Sequence, residues 1–133
     1  MMIGVLADTV VFYALLDEKD THHQRAQLEM QKIVASKTTI YVSFPIFLEA
    51  YSLLLYRLGF PSAQEFVDYC LDSVEFINPT PEDYLQAKDK ASRYPDQTIT
   101  LVDAITAVLS ERLNLPVWSY DYHFDIMRID VWQ

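Results

Sequence analysis

No two strand-like segments of this chain are joined by a short turn. Ile3–Ala7, Thr38–Ser43, Val74–Ile77 and Pro116–Tyr120 are short apolar or β-branched runs, and Ile129–Trp132 is a fifth, shorter one. Between successive members of the first four lies room for two helices each time. Strands separated in this way pair through crossover connections, not hairpins. The expected class is therefore α/β, with a mostly parallel central sheet covered by helices on both faces.

Local signals delimit the helices. Val10–Leu16 is a short apolar helix closed by the charged run Asp17–Asp20. Asp20 or Thr21 is placed to cap a second helix over His22–Ala35, with Ala26, Met30 and Ile33 or Val34 turned inward. Pro45 opens a helix over Ile46–Leu58 that Gly59 stops, and Pro61 introduces another over Ser62–Asp72. Thr80-Pro81-Glu82-Asp83 combines a cap, a first-turn proline and first-turn acids, which starts a helix running to about Arg93. Thr98 or Thr100 caps the last long helix, Leu101–Leu113, whose first two turns are almost entirely apolar apart from Asp103.

A length of 133 residues suits a single domain spanning 1–133. With 51% hydrophobic and 22% charged residues, a disordered chain is excluded. The longest apolar runs are broken by Asp8 and Glu49, so no membrane span is expected. The first residues lack the basic region of a signal peptide, and the single cysteine, Cys70, falls in a helical pattern suited to the core. A cytoplasmic location follows as the expectation. The net charge of −9, from 19 acids against 10 bases, argues against gripping nucleic acid through a broad basic face.

Four acids remain conspicuous. In an open parallel sheet the ligand site lies outside the carboxyl ends of the strands. Asp8 ends the first strand, and Asp121 follows the strand that reaches Tyr120. Glu49 lies on the helix after the second strand among apolar neighbours, and Asp103 opens the helix feeding the fourth. Each has a plainer role available: Asp8 and Asp121 as caps, Asp103 as a helix-dipole partner, Glu49 on a narrow polar stripe. Together they suggest a carboxylate cluster. Several carboxylates side by side raise one another's pKa unless a cation intervenes, and Mg²⁺ or Mn²⁺ is the economical one. Ions held in this way activate a water and stabilise a leaving oxygen in phosphodiester cleavage. The histidines are expected to stay outside the ligand set, with His22 and His23 on a polar helix start and His123 at the surface beside the site.

Four segments, Leu6-Ala7-Asp8-Thr9, Phe47-Leu48-Glu49-Ala50, Leu101-Val102-Asp103-Ala104-Ile105-Thr106-Ala107 and Ser119-Tyr120-Asp121-Tyr122-His123-Phe124, occur in an order and spacing that resembles the PIN domain. Within that family the chain is most similar to the small VapC-like ribonuclease toxins. The resemblance implies a PIN-like three-layer fold and a Mg²⁺- or Mn²⁺-dependent endoribonuclease. It also implies that Asp8, Glu49, Asp103 and Asp121 hold the metal and catalyse, with Thr9 and Ser119 as hydroxyl positions beside them. RNA is the implied substrate, a small antitoxin with a basic inhibitory segment the implied partner, and a homodimer the implied assembly. Ser119 stands where the family more often has Thr. Asp125 is read as peripheral, and the few bases available to RNA would include Arg25, Arg57, Arg93 and Arg112.

Other classes fit less well. A signalling receiver would need a second acid beside Asp8, a phosphoacceptor after Ile77 and a lysine after Tyr120, where the chain has Thr9, Asn78-Pro79 and Asp121. A haloacid-dehalogenase-like phosphatase would need Asp-x-Asp where Asp8-Thr9-Val10 stands. The remaining alternatives are a housekeeping RNA-processing PIN nuclease and a non-catalytic PIN-like binding module. The presence of all four acids weighs against the second.

Overall fold

The computed structural model describes residues 3–133; Met1 and Met2, part of the segment weighed against a signal peptide, lie outside them. In chain order the elements are β1 Gly4–Ala7, α1 Thr9–Leu16, α2 His23–Ala35, β2 Thr39–Ser43, α3 Phe44–Leu58, α4 Phe60–Ser73, β3 Glu75–Ile77, α5 Pro81–Ser92, α6 Leu101–Leu113, β4 Val117–Trp118 and α7 His123–Ile126. The four strands form one sheet in the order β3-β2-β1-β4, and every pairing is parallel.

Strand pleating explains the layers. Successive side chains point to opposite faces. Val5 and Ala7 of β1, Ile40 and Val42 of β2, and Trp118 of β4 therefore bury against α1–α4 with Val11, Phe12, Ile33, Ile46, Leu54 and Phe66. Leu6 turns the other way, packing with Leu109 and Leu115 against Tyr41 and Ile77. On that same side Val117 joins Ala107 of α6 and Phe124 of α7, while α5 seals α6 through Ala87, Ala104 and Val108. Helices thus cover both faces, as the alternation of elements implied. Gly4 is required where β1 meets β2, because a Cβ there would run into the Thr39 carbonyl oxygen.

The sheet winds outward from β1 through β2 to β3, then returns to place β4 on the other side of β1. This reversal opens a crevice at the carboxyl ends of β1 and β4. The register there is tight: Ala7 lies opposite Trp118, and the Asp8 N–H donates to the Trp118 carbonyl at 3.0 Å. Residues just past both strand ends are therefore forced together.

Three expectations need correction. The fourth strand was expected over Pro116–Tyr120 but its ladder covers only Val117–Trp118, because the chain beyond Trp118 turns away to begin α7. The expected last strand over Ile129–Trp132 is reduced to one parallel bridge between Val117 and Val131, made by Val117 N–H to Asp130 O and Trp132 N–H to Val117 O. On α2, the residue before the helix is His22, and Asp20 acts one step earlier by accepting from the His22 N–H at 2.9 Å. No helix among the described residues is long and apolar enough to cross a membrane.

Candidate metal centre at the β1–β4 crevice

Asp8 lies just past the carboxyl end of β1, with 3% of its surface exposed. Its backbone is extended and bridges β1 to α1 without a side-chain cap, which leaves the carboxylate free to face β4. Ser119 Oγ donates to Asp8 Oδ2 at 2.8 Å and at the same time accepts from the Asp121 N–H at 3.0 Å. One hydroxyl thereby ties the acid after β1 to the acid after β4.

Asp103 arrives from the far layer. The Thr100 hydroxyl accepts from the Asp103 N–H at 3.1 Å, capping α6 so that the helix begins beneath the crevice. The Asp103 carboxylate points to the imidazole of His123, with Oδ2 3.1 Å from Nδ1; Asp121 Oδ1 lies 3.3 Å from the same nitrogen. Single ligand atoms of Asp103, Asp121 and His123 all fall within 4.8 Å of one another. Asp121 Oδ1 also accepts from the His123 N–H at 2.9 Å, which turns the chain into α7.

Electrostatics sets these acids apart. Burial, only partly countered by the Ser119 bond and reinforced by the charges of Asp103 and Asp121, pushes the Asp8 carboxyl up from 3.8 to about 7. Burial and the charge of Asp121 raise Asp103 as well, against the lowering effect of His123.

Glu49 differs from expectation. Its sequence neighbours are apolar, yet the side chain lies on the exposed side of α3, at the rim of the site. It is tethered there by Thr9, whose hydroxyl donates to Glu49 Oε1 at 2.6 Å. So Asp103 and Asp121 converge with His123, Asp8 is tied to Asp121 through Ser119 and feels both charges, and Glu49 joins through Thr9, the residue next to Asp8. Asp125 is exposed on α7, consistent with a peripheral place.

His123 was expected at the surface and is instead mostly enclosed, its side chain 13% exposed and its Nε2 buried without a partner. The i, i+2 spacing Asp121-x-His123 was the available signal. The bases proposed for RNA contact also divide. Arg112 is committed to Asp83 through two bonds of 2.8 Å, and Arg25 lies 3.3 Å from Glu29, while Arg57 packs over the Tyr13 ring.

A parallel α/β sheet in this strand order, with acids gathered at its switch point, defines a class of acidic-site domain. A family model for the PIN domain matches residues 5–129, and the chain belongs to that family. No curated protein sequence matches the chain significantly. Among solved structures it is similar to the Mycobacterium tuberculosis VapC20 toxin, described as cleaving the sarcin–ricin loop, at 21% identity and a TM-score of 0.82, over 95% of this chain and 96% of that one. It is also similar to VapBC2 from Rickettsia felis bound to a promoter DNA fragment, with 12% identity, a TM-score of 0.74 and coverage of 97% and 96%. A toxin–antitoxin complex from Klebsiella pneumoniae matches at 17% identity and a TM-score of 0.62, over 90% and 88%.

Proposed function

We propose that this protein is a Mg²⁺- or Mn²⁺-dependent endoribonuclease, acting as the toxin of a toxin–antitoxin pair. The observation that carries the reading is that Asp103 and Asp121, from separate parts of the chain, bring ligand atoms together with His123, and that the buried Asp8 is tied to Asp121 through Ser119 and feels the charge of both acids. A hard divalent ion fits this donor set, because carboxylate oxygens predominate and the raised carboxyls of Asp8 and Asp103 mark a need for positive charge.

Asp8, Asp103 and Asp121 would hold the ion, with Glu49 contributing from the rim. When bound, such an ion supplies Lewis acidity at a phosphate oxygen and lowers the pKa of a water. The chain's own groups prepare the site. Ser119 donates to Asp8 Oδ2 and so holds the carboxylate in place. Thr9 occupies Glu49 Oε1, leaving Oε2 able to take a proton from an attacking water. Burial of Asp8 and Asp103 keeps bulk water from screening the charges that develop.

Toxin activity is supported by the similarity to solved toxin structures. A small antitoxin presenting a basic residue to the acids would block metal and substrate together, since an arginine fork pairs carboxylates bidentately. The deciding experiment incubates the purified protein with RNA and Mn²⁺ or Mg²⁺, with and without EDTA. Cleavage that needs the metal is expected; cleavage indifferent to EDTA overturns the reading. Co-purification with a basic partner should also weaken Mn²⁺ binding, whereas unchanged metal affinity in the complex would place the inhibitor elsewhere.

A further inference from the structure

Helix α2 carries a buried acid that the site described above does not use. Its inward stripe is Ala26, Glu29 and Ile33, so Glu29 occupies a core position. A carboxylate placed there is costly unless its oxygens are bonded. They are bonded. Glu29 Oε1 accepts from Trp118 Nε1 at 3.0 Å and from the Tyr120 hydroxyl at 2.6 Å, while Arg25 Nε donates to Oε2 at 3.3 Å.

Trp118 and Tyr120 are two residues apart, with Ser119 between them. In an extended segment such residues share one side and the intervening one faces the other. The contacts follow this rule: Trp118 and Tyr120 both reach Glu29, and Ser119 reaches Asp8 on the opposite side. The β4 ladder, however, stops at Trp118. Ser119, Tyr120 and Asp121 have no strand partners to set their rotation, although the acid site depends on it.

We propose that Glu29 is the positioning residue of the acid site: by gripping Trp118 and Tyr120 from one side it fixes the twist of the strand end, and so aims Ser119 at Asp8 and delivers Asp121 into the crevice. The grip is rigid. The Tyr120 ring is stacked on His22, with centroids 4.6 Å apart and 19° between planes, and the Arg25 guanidinium lies 4.5 Å from its centroid. Burial and the Glu29 carboxylate push the Tyr120 phenol above its ordinary pKa, which keeps it a donor. A single acceptor atom thus replaces the missing ladder bonds. Shifting the strand end by even a fraction of an ångström would misplace two groups of the site at once, since Ser119 bonds both Asp8 and the Asp121 backbone.

This inference rests on the reading of the acids as a metal site, and the test separates the two. Mn²⁺ affinity is measured by the loss of free-ion electron paramagnetic resonance signal, in parallel with kcat and KM for RNA cleavage. Glu29→Gln retains an acceptor oxygen for both donors and should keep affinity within about threefold of the unaltered protein. Glu29→Leu removes the acceptor and should weaken Mn²⁺ binding by about tenfold or more, the usual cost of losing a group that orients metal ligands, and lower kcat more than it raises KM. Tyr120→Phe, which deletes one donor, should fall between them, and the Glu29→Leu/Tyr120→Phe double variant should be no worse than Glu29→Leu alone. A merely structural glutamate would, on replacement, lower the melting temperature while leaving the Mn²⁺ affinity and kcat of the folded protein unchanged. Should Glu29→Leu fail to fold, Tyr120→Phe and Trp118→Phe carry the same measurement, and unchanged Mn²⁺ affinity in both overturns the proposal. Binding of Mn²⁺ by the unaltered protein together with unchanged affinity in Glu29→Leu overturns this inference alone. An unaltered protein that binds no Mn²⁺ overturns the metal-site reading and this inference with it.

Discussion

Helices α5 and α6 begin with the same local pattern, Thr80-Pro81-Glu82-Asp83 and Thr100-Leu101-Val102-Asp103. In both, the threonine hydroxyl accepts from the aspartate N–H at 3.1 Å, and in both the aspartate is buried. There the likeness ends. Asp83 turns back to accept from the Thr80 N–H at 2.9 Å, closing the capping box, and receives two bonds from Arg112. Asp103 leaves its box open and faces His123 and Asp121. Burial pushes both carboxyls up. At Asp83 the Arg112 guanidinium and Thr80 overcome that push and hold the group below its ordinary value; at Asp103 the charge of Asp121 adds to it. Burial alone therefore does not single out a candidate site acid. Burial beside groups of the same charge does.

The sharpest way to break the comparison is to neutralise each aspartate in turn. Asp103→Asn should lower RNA cleavage by about two to three orders of magnitude, the scale expected for a group acting on the transition state, yet leave thermal stability in EDTA unchanged or higher. Asp83→Asn should do the reverse, costing about 2 kcal/mol in denaturant unfolding through weakened bonds to a half-exposed arginine while cleavage by the folded fraction persists. If the two variants behave alike, the distinction fails.

Acidity sharpens the contrast next. A carboxyl raised in the fold contributes most favourably below its unfolded value, and that contribution is lost as pH climbs through the folded value. For Asp8 the interval runs from 3.8 to about 7. Asp83 is lowered, so its contribution is present above the ordinary value and lost as pH falls through the folded one. Metal-free melting temperatures should therefore decline on both sides of a maximum near the ordinary aspartate pKa. Mn²⁺ should flatten the neutral side alone, and a neutral-side decline that survives saturating Mn²⁺ would refute the assignment.

Smaller effects are expected from the hydroxyls. Ser119→Ala removes the link between Asp8 and the Asp121 backbone and should reduce cleavage by about tenfold, corresponding to one hydrogen bond of roughly 1–2 kcal/mol. Thr9→Val frees the exposed Glu49 without touching the buried acids and should cost less, about two- to threefold in kcat, with stability unchanged. A Thr9→Val loss equal to that of Asp103→Asn would mean that Glu49 belongs to the centre of the site.

Much of this was readable along the chain because it is local. The spacing of apolar residues, the capping threonines and the prolines act over three or four positions, and they specified α5, α6 and the order of strands and helices that compels a parallel sheet. The four acids and their places relative to strand ends were likewise visible in one dimension. Tertiary structure decided what surrounds each of them. Ser119 meets Asp8 across 111 positions and Glu29 meets Trp118 across 89, so neither bond leaves a trace in local pattern. The same holds for Glu49, exposed despite apolar neighbours in sequence, and for His123, enclosed although it lies between two aspartates two positions away on either side. Helix and strand propensities arise from a residue's own backbone and its nearest turns. The field that sets a carboxyl's proton affinity arises from whatever charges the finished fold brings within a few ångströms, and only the packing of distant segments determines those.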